Sequence, residues 1–106
     1  MALRVIAQLA PGATTLTTLV DGKQVSPIHL QSLVVCNRAA ASATFRMTIQ
    51  PTNEALDNKH YLFYDLPIVP NDSFTSSLDI GVQPGDVIKV YASTANLTFT
   101  VFGDDT

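Results

Sequence analysis

Charged residues are scarce in this sequence: they make up 14% of its 106 residues, against roughly 25% in an average soluble domain. The six basic residues are scattered and the net charge is −3, whereas nucleic-acid binding that ignores base sequence needs clustered Lys and Arg. We therefore expect no nucleic-acid partner. Twelve Thr and seven Ser cover the surface instead, which suits a protein whose faces are covered by neighbours. An ordinary β-domain with Thr on its exposed strand faces would have the same composition.

Cysteine and long hydrophobic runs are also rare. The single Cys36 excludes an internal disulfide framework, and its apolar surroundings are typical of a small buried side chain. Residues 1–10 hold an apolar run that Gln8 interrupts and Pro11 follows, too short for a signal peptide or a membrane span. We therefore expect a chain that is made in the cytoplasm and has no membrane partner.

Two strand-like runs dominate what is present. Residues 28–37 are more continuously apolar, with Leu30, Leu33, Val34, Val35 and Cys36, as in a strand that is covered on both sides. In residues 43–50, Phe45, Met47 and Ile49 alternate with polar residues, and this period of two puts the apolar side chains on one face. The short link of small residues between the runs predicts a long central hairpin.

Turn signals such as Asp21-Gly22 separate six further strand candidates. In chain order these are residues 3–9, 14–20, 59–65, 73–80, 87–93 and 97–102. The first two predict another hairpin, residues 51–58 a surface loop with one helical turn, and residues 66–72, with two prolines, a segment that crosses between sheets. Regular alternation in 59–65 would put Tyr61 and Phe63 on one face and Leu62 and Tyr64 on the other.

The absence of any helical period predicts an all-β fold, and the length predicts one domain over residues 1–106. We expect an antiparallel β-sandwich of about eight strands. The pattern does not determine the connections between the strands, and both a jelly-roll-like and an immunoglobulin-like order are compatible with it.

No constellation of residues predicts chemistry. His29 and His60 have no Cys, Asp or Glu at metal-ligand spacing, and neither a Gly-x-Ser-x-Gly pattern nor an Asp-x-Asp-x-Asp calcium loop occurs. Five aspartates stand near predicted strand ends or turns, where Asp favours local backbone hydrogen bonds: Asp57, Asp65, Asp72, Asp79 and Asp86. We therefore expect a protein that is not an enzyme, with no catalytic, cofactor-binding or metal-binding residue.

The tyrosines Tyr61, Tyr64 and Tyr91 are candidates for binding a host glycan, because exposed aromatic rings on a sandwich face stack on sugars. The loops at Asn58 and Asn71 would add polar contacts. Against this interpretation, Trp is absent and strand tyrosines are often half-buried in the core.

Several short segments, in a fixed order from about residue 14 onward, carry a family likeness. They are Leu33-Val34-Val35-Cys36-Asn37, Thr44-Phe45-Arg46, Asn58-Lys59-His60-Tyr61-Leu62 with Tyr64-Asp65, Asn71-Asp72-Ser73-Phe74, Gly85-Asp86-Val87 with Val90-Tyr91, and Asn96-Leu97-Thr98-Phe99 with Phe102-Gly103. As a series they resemble a group of small virion structural proteins of tailed bacteriophages, generally linked to the tail, baseplate or fibre region. The resemblance implies assembly by contact and supplies no catalytic residue.

The function that we expect from this resemblance is a virion component of the tail, baseplate or fibre attachment. Its partners would be other virion proteins and copies of itself, as a trimer or ring. The alternatives are a capsid decoration protein on the head and, less favoured, a glycan-binding host-attachment module. For contacts we predict the strand edges at 14–20 and 97–102, the loop 51–58 and the face of Arg46, opposite the buried face of Phe45.

Overall fold

The computed structural model describes residues 3–23 and 26–105, which form eight β-strands and one short 3₁₀ turn, Asn58–His60. The strands are β1 (Arg4–Leu9), β2 (Thr17–Val20), β3 (Ile28–Asn37), β4 (Ala43–Gln50), β5 (Tyr61–Ile68), β6 (Ser73–Val82), β7 (Val87–Ala92) and β8 (Leu97–Asp105). The prediction that residues 1–10 are not a signal peptide falls partly on Met1 and Ala2. These two residues lie outside the described residues. No helix in the described part is long and apolar enough to cross a membrane.

The strands form two four-stranded sheets, which enclose one core. The order is β1-β8-β3-β6 in the first, named here the β3 sheet, and β2-β7-β4-β5 in the second, named the β4 sheet. All strand pairs are antiparallel. The prediction of an antiparallel β-sandwich is confirmed, and the strand order is that of a jelly roll.

Both predicted hairpins are wrong. β3 and β4 do not pair, because each is an inner strand of its own sheet, and β1 and β2 also lie in different sheets. Of the consecutive strands, only β4 and β5 are neighbours in a sheet. A period of two determines which side chains face the core, but it carries no information on which strand lies alongside.

The core is centred on Phe45 of β4, which is completely buried. Its ring centroid lies 5.5 to 5.9 Å from those of Phe63, Phe74 and Phe99, which come from β5, β6 and β8. These tilted and edge-on contacts are the geometries that aromatic rings prefer. The aromatic cluster therefore joins the two sheets, and the predicted alternation in β4 is confirmed, with Phe45 inward and Arg46 outward.

The edge strands on one side of the sandwich each carry a β-bulge with an aspartate in the left-handed conformation. In β5, Tyr64 and Asp65 together lie opposite Arg46, and β6 has one extra residue where Asp79 lies opposite Gln31. The φ angle is +52° at Asp65 and +51° at Asp79, a region that Asp enters more readily than most residues. Such bulges interrupt the hydrogen-bond ladder and protect an edge from pairing with another chain.

The bulges correct the prediction for two aspartates, since Asp65 and Asp79 lie inside strands rather than at their ends. Asp104 also lies inside a strand, β8. The prediction of local backbone hydrogen bonds is confirmed for three others: Asp57 accepts from the N–H of Asn58, Asp72 from that of Ser73, and Asp86 from that of Gln83.

Of the two stretches predicted to be strand edges, one lies at the edge of a sheet and the other does not. β2 is an edge strand, as expected for the stretch 14–20. β8 lies between β1 and β3, so residues 97–102 form an inner strand whose two sides are both paired. The four edges are β1 and β6 in one sheet and β2 and β5 in the other.

One buried asparagine ties together the loops at one end of the sandwich. The side-chain amide of Asn37, at the end of β3, donates to the carbonyl oxygens of Ala41 at 2.9 Å and Ile68 at 3.1 Å. Its Oδ1 accepts the N–H of Ala39 at 3.0 Å. A buried polar group lowers the stability of a fold unless it is hydrogen-bonded. The folded state therefore requires these loops to lie where they can bond to Asn37.

At the opposite end, the predicted surface loop 51–58 is confirmed: it is exposed throughout and followed by the 3₁₀ turn. The carboxylate of Asp86, in the turn between β6 and β7, accepts the Thr52 N–H at 3.0 Å. Gly85 has φ +96° and lies so close to the Thr52 side chain that a Cβ at this position would overlap it. The loop is therefore fastened to a neighbouring turn.

Phe45→Ala should lower the free energy of unfolding by roughly 3 to 5 kcal/mol, because it opens a cavity among four packed rings. Urea unfolding followed by fluorescence or circular dichroism measures this. The matched control is Thr75→Ala on the exposed face of β6, which should stay within about 0.5 kcal/mol of the parent. Equal losses for the two variants would contradict the placement of the core.

Asn37→Asp should also destabilise the fold, because it replaces the two N–H donors with an oxygen that faces the carbonyls of Ala41 and Ile68. We expect a loss of about 1 to 3 kcal/mol, the cost of leaving buried acceptors unpaired. Asn96→Asp, in an exposed turn, is the control and should unfold at nearly the parent's urea concentration. If the control lost as much as Asn37→Asp, the buried amide would not be what joins the loops.

Candidate contact surface

All three tyrosines of the chain lie on the outer face of the β4 sheet. Tyr61 is paired with Thr48 and Tyr91 with Arg46, both of which point away from the core. The rings of Tyr61 and Tyr64 meet edge to face, with centroids 5.0 Å apart. The three tyrosines, with Arg46 and Lys89, are named here the tyrosine face.

Two irregularities interrupt β5, and the first of them brings Tyr61 and Tyr64 to the same face, although regular alternation would separate them. A register shift between Met47 and Thr48 makes Leu62 an extra residue, so that Tyr61 faces outward while Phe63 packs against the core. The bulge at Asp65 is the second irregularity. The predicted division of this strand into two faces is therefore wrong at Tyr61.

Arg46 lies between two of the tyrosine rings. Its guanidinium carbon is 4.1 Å from the ring centroid of Tyr64 on β5 and 4.5 Å from that of Tyr91 on β7. Its Nε and Nη2 donate to the two carboxylate oxygens of Asp65 at 2.6 and 3.2 Å. Stacking and the two-pronged hydrogen bond hold this side chain in one orientation.

The contact with Asp65 changes the pKa of both partners. The hydrogen bond raises the pKa of Arg46 above its ordinary value, and the same bond lowers the pKa of the Asp65 carboxyl. The two side chains are 25% and 45% exposed, so water screens their attraction and its contribution to stability is small. What the pair supplies is a fixed position for Arg46 rather than much stability.

Lys89 is the second cation of the tyrosine face. It lies on β7 between Thr18 of β2 and Thr48 of β4. Among residues 3–23 and 26–105, no carboxylate forms an ion pair with it. Since Arg46 is neutralised by Asp65, Lys89 leaves this face with one uncompensated positive charge.

The rim of the tyrosine face along β5 is exposed and apolar, with Leu62 43% and Tyr64 59% exposed. Tyr and Arg are the residue types that are enriched where protein interfaces bury most surface. Side chains that are already held in place lose little conformational freedom when a partner binds. The geometry of this face is therefore that of a preformed contact surface.

The 3₁₀ turn beside Tyr61 is held by the buried His60. Its Nδ1 accepts the N–H of Asp57 at 2.9 Å, so the neutral ring carries its proton on Nε2, which donates to Glu54 Oε1 at 3.0 Å. Lys59 Nζ is 3.3 Å from the same oxygen. Hydrogen bonds from His60 and then from Lys59 lower the pKa of Glu54. The loop that borders the tyrosine face is thus anchored on both sides.

The outer face of the β3 sheet is named here the serine–threonine face, because short side chains make up most of it. It is formed by Ser32, Val34, Cys36, Ser73, Thr75, Ser77, Thr98 and Thr100. The ring of Phe102, which is paired with Ser32 and with Val5 of β1, also lies on this face. Neither Lys nor Arg occurs at the outward positions of β3, β6 and β8. The predicted burial of β3 on both sides is only half right, since Cys36 and its outward neighbours are partly exposed.

Two carboxylates and a histidine lie at one end of the serine–threonine face. His29 Nε2 is 2.6 Å from Oδ1 of Asp79, and its Nδ1 is 3.8 Å from Oδ1 of Asp104. Asp79 projects into solvent, with 84% of its side chain exposed. Within the described ranges no group of three or more His, Cys, Asp or Glu is arranged to hold a metal ion.

The residues predicted for glycan binding come together only in part. The three tyrosines share one face, but Asn58 precedes β5 and Asn71 follows it, so these loops lie at opposite ends of an eight-residue strand. Two of the tyrosine rings also have the guanidinium of Arg46 against them. The ring surface left for stacking on a sugar is correspondingly smaller.

Comparison with known proteins gives no match to any family model, curated protein or solved structure. The resemblance to phage virion proteins therefore stays a prediction.

Arg46→Ala should move the titration of the Asp65 carboxyl up to the ordinary range near pH 4, because the hydrogen bond that lowers its pKa is lost. NMR titration of the carboxyl carbons measures the change. Glu54 is the internal control, since its pKa depends on His60 and Lys59, and its titration should not move. An unchanged Asp65 titration would contradict the assigned pair.

The same pair makes stability depend on pH in a defined direction. The folded-state pKa of Asp65 lies below the unfolded value, so the stabilisation is complete above about pH 4 and is lost as the pH falls through the folded-state pKa. The difference in unfolding free energy between the parent and Arg46→Ala should therefore shrink on acidification.

Proposed function

We propose that this chain is a structural protein of a tailed-bacteriophage virion, a component of the tail, baseplate or fibre attachment that acts by protein–protein contact. The observation that carries the proposal is the tyrosine face, on which three tyrosines surround an arginine held between two of them. This composition is typical of the centre of an interface. The kind of particle is taken from the resemblance of the ordered segments to phage virion proteins.

A jelly-roll fold is compatible with this proposal, but it does not distinguish this function from others. Jelly rolls occur in viral capsid proteins, but also in lectins and cupins, and a fold alone leaves function open. At His60 contact is favoured over catalysis, because both of its ring nitrogens are hydrogen-bonded to neighbours, the Asp57 backbone and Glu54. In this proposal the protein is made in the host cytoplasm and becomes part of the virion.

A host glycan is the second candidate partner of the same face, because all three tyrosines converge there. The position of Arg46 favours a protein partner, since its guanidinium occupies ring surface that a sugar would use. A glycan array probed with the purified protein separates the two: specific sugar binding that Tyr64→Ala abolishes would favour the attachment module.

A gold-tagged antibody against this protein should label purified virions at the tail tip, baseplate or collar in negative-stain electron microscopy. Label spread over the head would instead indicate a capsid decoration protein, and unlabelled particles would overturn the virion assignment. Tyr64→Ala should reduce the number of copies per virion while leaving the unfolding midpoint nearly unchanged, because this ring is largely exposed. Ser42→Ala, in an exposed turn at the end of the sandwich, is the matched control and should be incorporated normally.

A further inference from the structure

We propose that copies of this chain bind one another front to back, with the tyrosine face of one copy against the serine–threonine face of the next. The inference rests on the proposed function, in which the tyrosine face is a protein-contact surface. It goes further by naming a second copy as the partner and the serine–threonine face as the complementary surface.

The charges of the two faces are complementary. The tyrosine face has one uncompensated cation, Lys89, whereas the serine–threonine face has no Lys or Arg on β3, β6 and β8 and ends in Asp79 and Asp104. Contact between two copies of the same face would place like charges together, which is unfavourable at an interface. Contact between opposite faces brings Lys89 towards carboxylates.

The opposite charges also lie at the same end of the sandwich. Lys89 is the third residue of β7, just after the turn from β6, and Asp79 lies shortly before that turn. Asp104 is near the end of β8 and is paired with His29, the second residue of β3, where β3 also meets the end of β6. Copies stacked in the same orientation therefore match cation to carboxylate.

The shapes of the two faces fit the same arrangement. Large side chains project from the tyrosine face, and short ones cover the serine–threonine face away from Phe102. In that part the first face packs on the second without two sets of long side chains colliding. Short side chains also lose little conformational entropy on burial. The broad side of the molecule measures 39 by 32 Å. The area of this side exceeds the roughly 800 Å² of surface that each partner buries in a stable interface.

Contact between two different faces of one chain is heterologous. Repetition of such a contact gives a closed ring when the rotation between neighbours closes, and an open stack when it does not. The alternative of strand-edge pairing is hindered at β5 and β6, where the bulges at Asp65 and Asp79 interrupt the edges. The other two edges also carry irregularities, between Val5 and Ala7 in β1 and between Thr18 and Val20 in β2, so the faces are the more regular surfaces for self-association.

Two substitutions test the two faces separately. Lys89→Glu reverses the uncompensated charge of the tyrosine face, and Thr75→Lys puts a long cation on the serine–threonine face at an exposed position without a core contact. Sedimentation velocity over a concentration series should show self-association of the parent, weakened about tenfold or more in each variant. Ser42→Lys, in an end loop away from both faces, is the control and should associate like the parent.

Mixing the two variants gives the decisive measurement. The intact tyrosine face of Thr75→Lys should bind the intact serine–threonine face of Lys89→Glu, so the mixture forms a 1:1 complex that does not grow further. A parent that stays monomeric, or a mixture of folded variants that stays monomeric while the parent associates, would overturn the inference. So would a Thr75→Lys variant that dimerises normally, because that result means a contact between identical faces.

The two proposals fail independently. A protein that labels virions but does not associate through these faces in solution overturns only the front-to-back contact. A protein that associates as described but is missing from virions overturns only the virion assignment. Circular dichroism and urea unfolding of both variants confirm that lost association is not lost folding.

Discussion

The packing of Phe45 between the two sheets is the constraint on which the rest of this molecule depends. Its ring meets aromatic rings from three other strands, and this fixes which side of β4 faces the core. Because side chains alternate along a strand, Arg46 and Thr48 must then face outward. A slip of one residue would bury a charged guanidinium and expose the ring. The core and the tyrosine face are therefore two consequences of one alternation.

The outer surface needed departures from that alternation as well. In a regular β5, Tyr61 would lie on the face opposite Tyr64, and it is the extra residue at Leu62 that turns it outward. Left-handed backbone at a residue other than Gly costs on the order of 1 to 3 kcal/mol. At Asp65 the strained residue is also the one whose carboxylate orients Arg46 between its rings. The same bulge blunts an edge strand, so one irregularity both shapes the tyrosine face and hinders pairing at this edge.

The sequence predicts only those features that depend on residues close to one another along the chain. The alternation around Phe45 and the turn signals suffice for the fold class, the approximate number of strands and the direction of Arg46. Connectivity does not follow, because the residues that join elements are far apart in sequence: Asn37 bonds to Ile68, and Arg46 reaches Asp65 only because β4 and β5 are neighbours in a sheet. The sequence identifies the tyrosines as candidates, but their convergence on one face depends on the extra residue Leu62, which has no signal in the hydrophobic pattern.

The placement of charge along the fold bears on how the molecule is used. Eight of the fifteen charged residues lie in the loops and turns at the two ends of the sandwich: Asp21, Lys23, Arg38, Glu54, Asp57, Lys59, Asp72 and Asp86. On the broad faces Arg46 is paired with Asp65, and the remaining cation Lys89 and the carboxylates Asp79 and Asp104 are of opposite sign. A free molecule gains solubility from charge anywhere on its surface, whereas one that is stacked face to face needs it only where solvent still reaches. The low charge content of the chain is thus accounted for if both faces are covered by neighbouring copies.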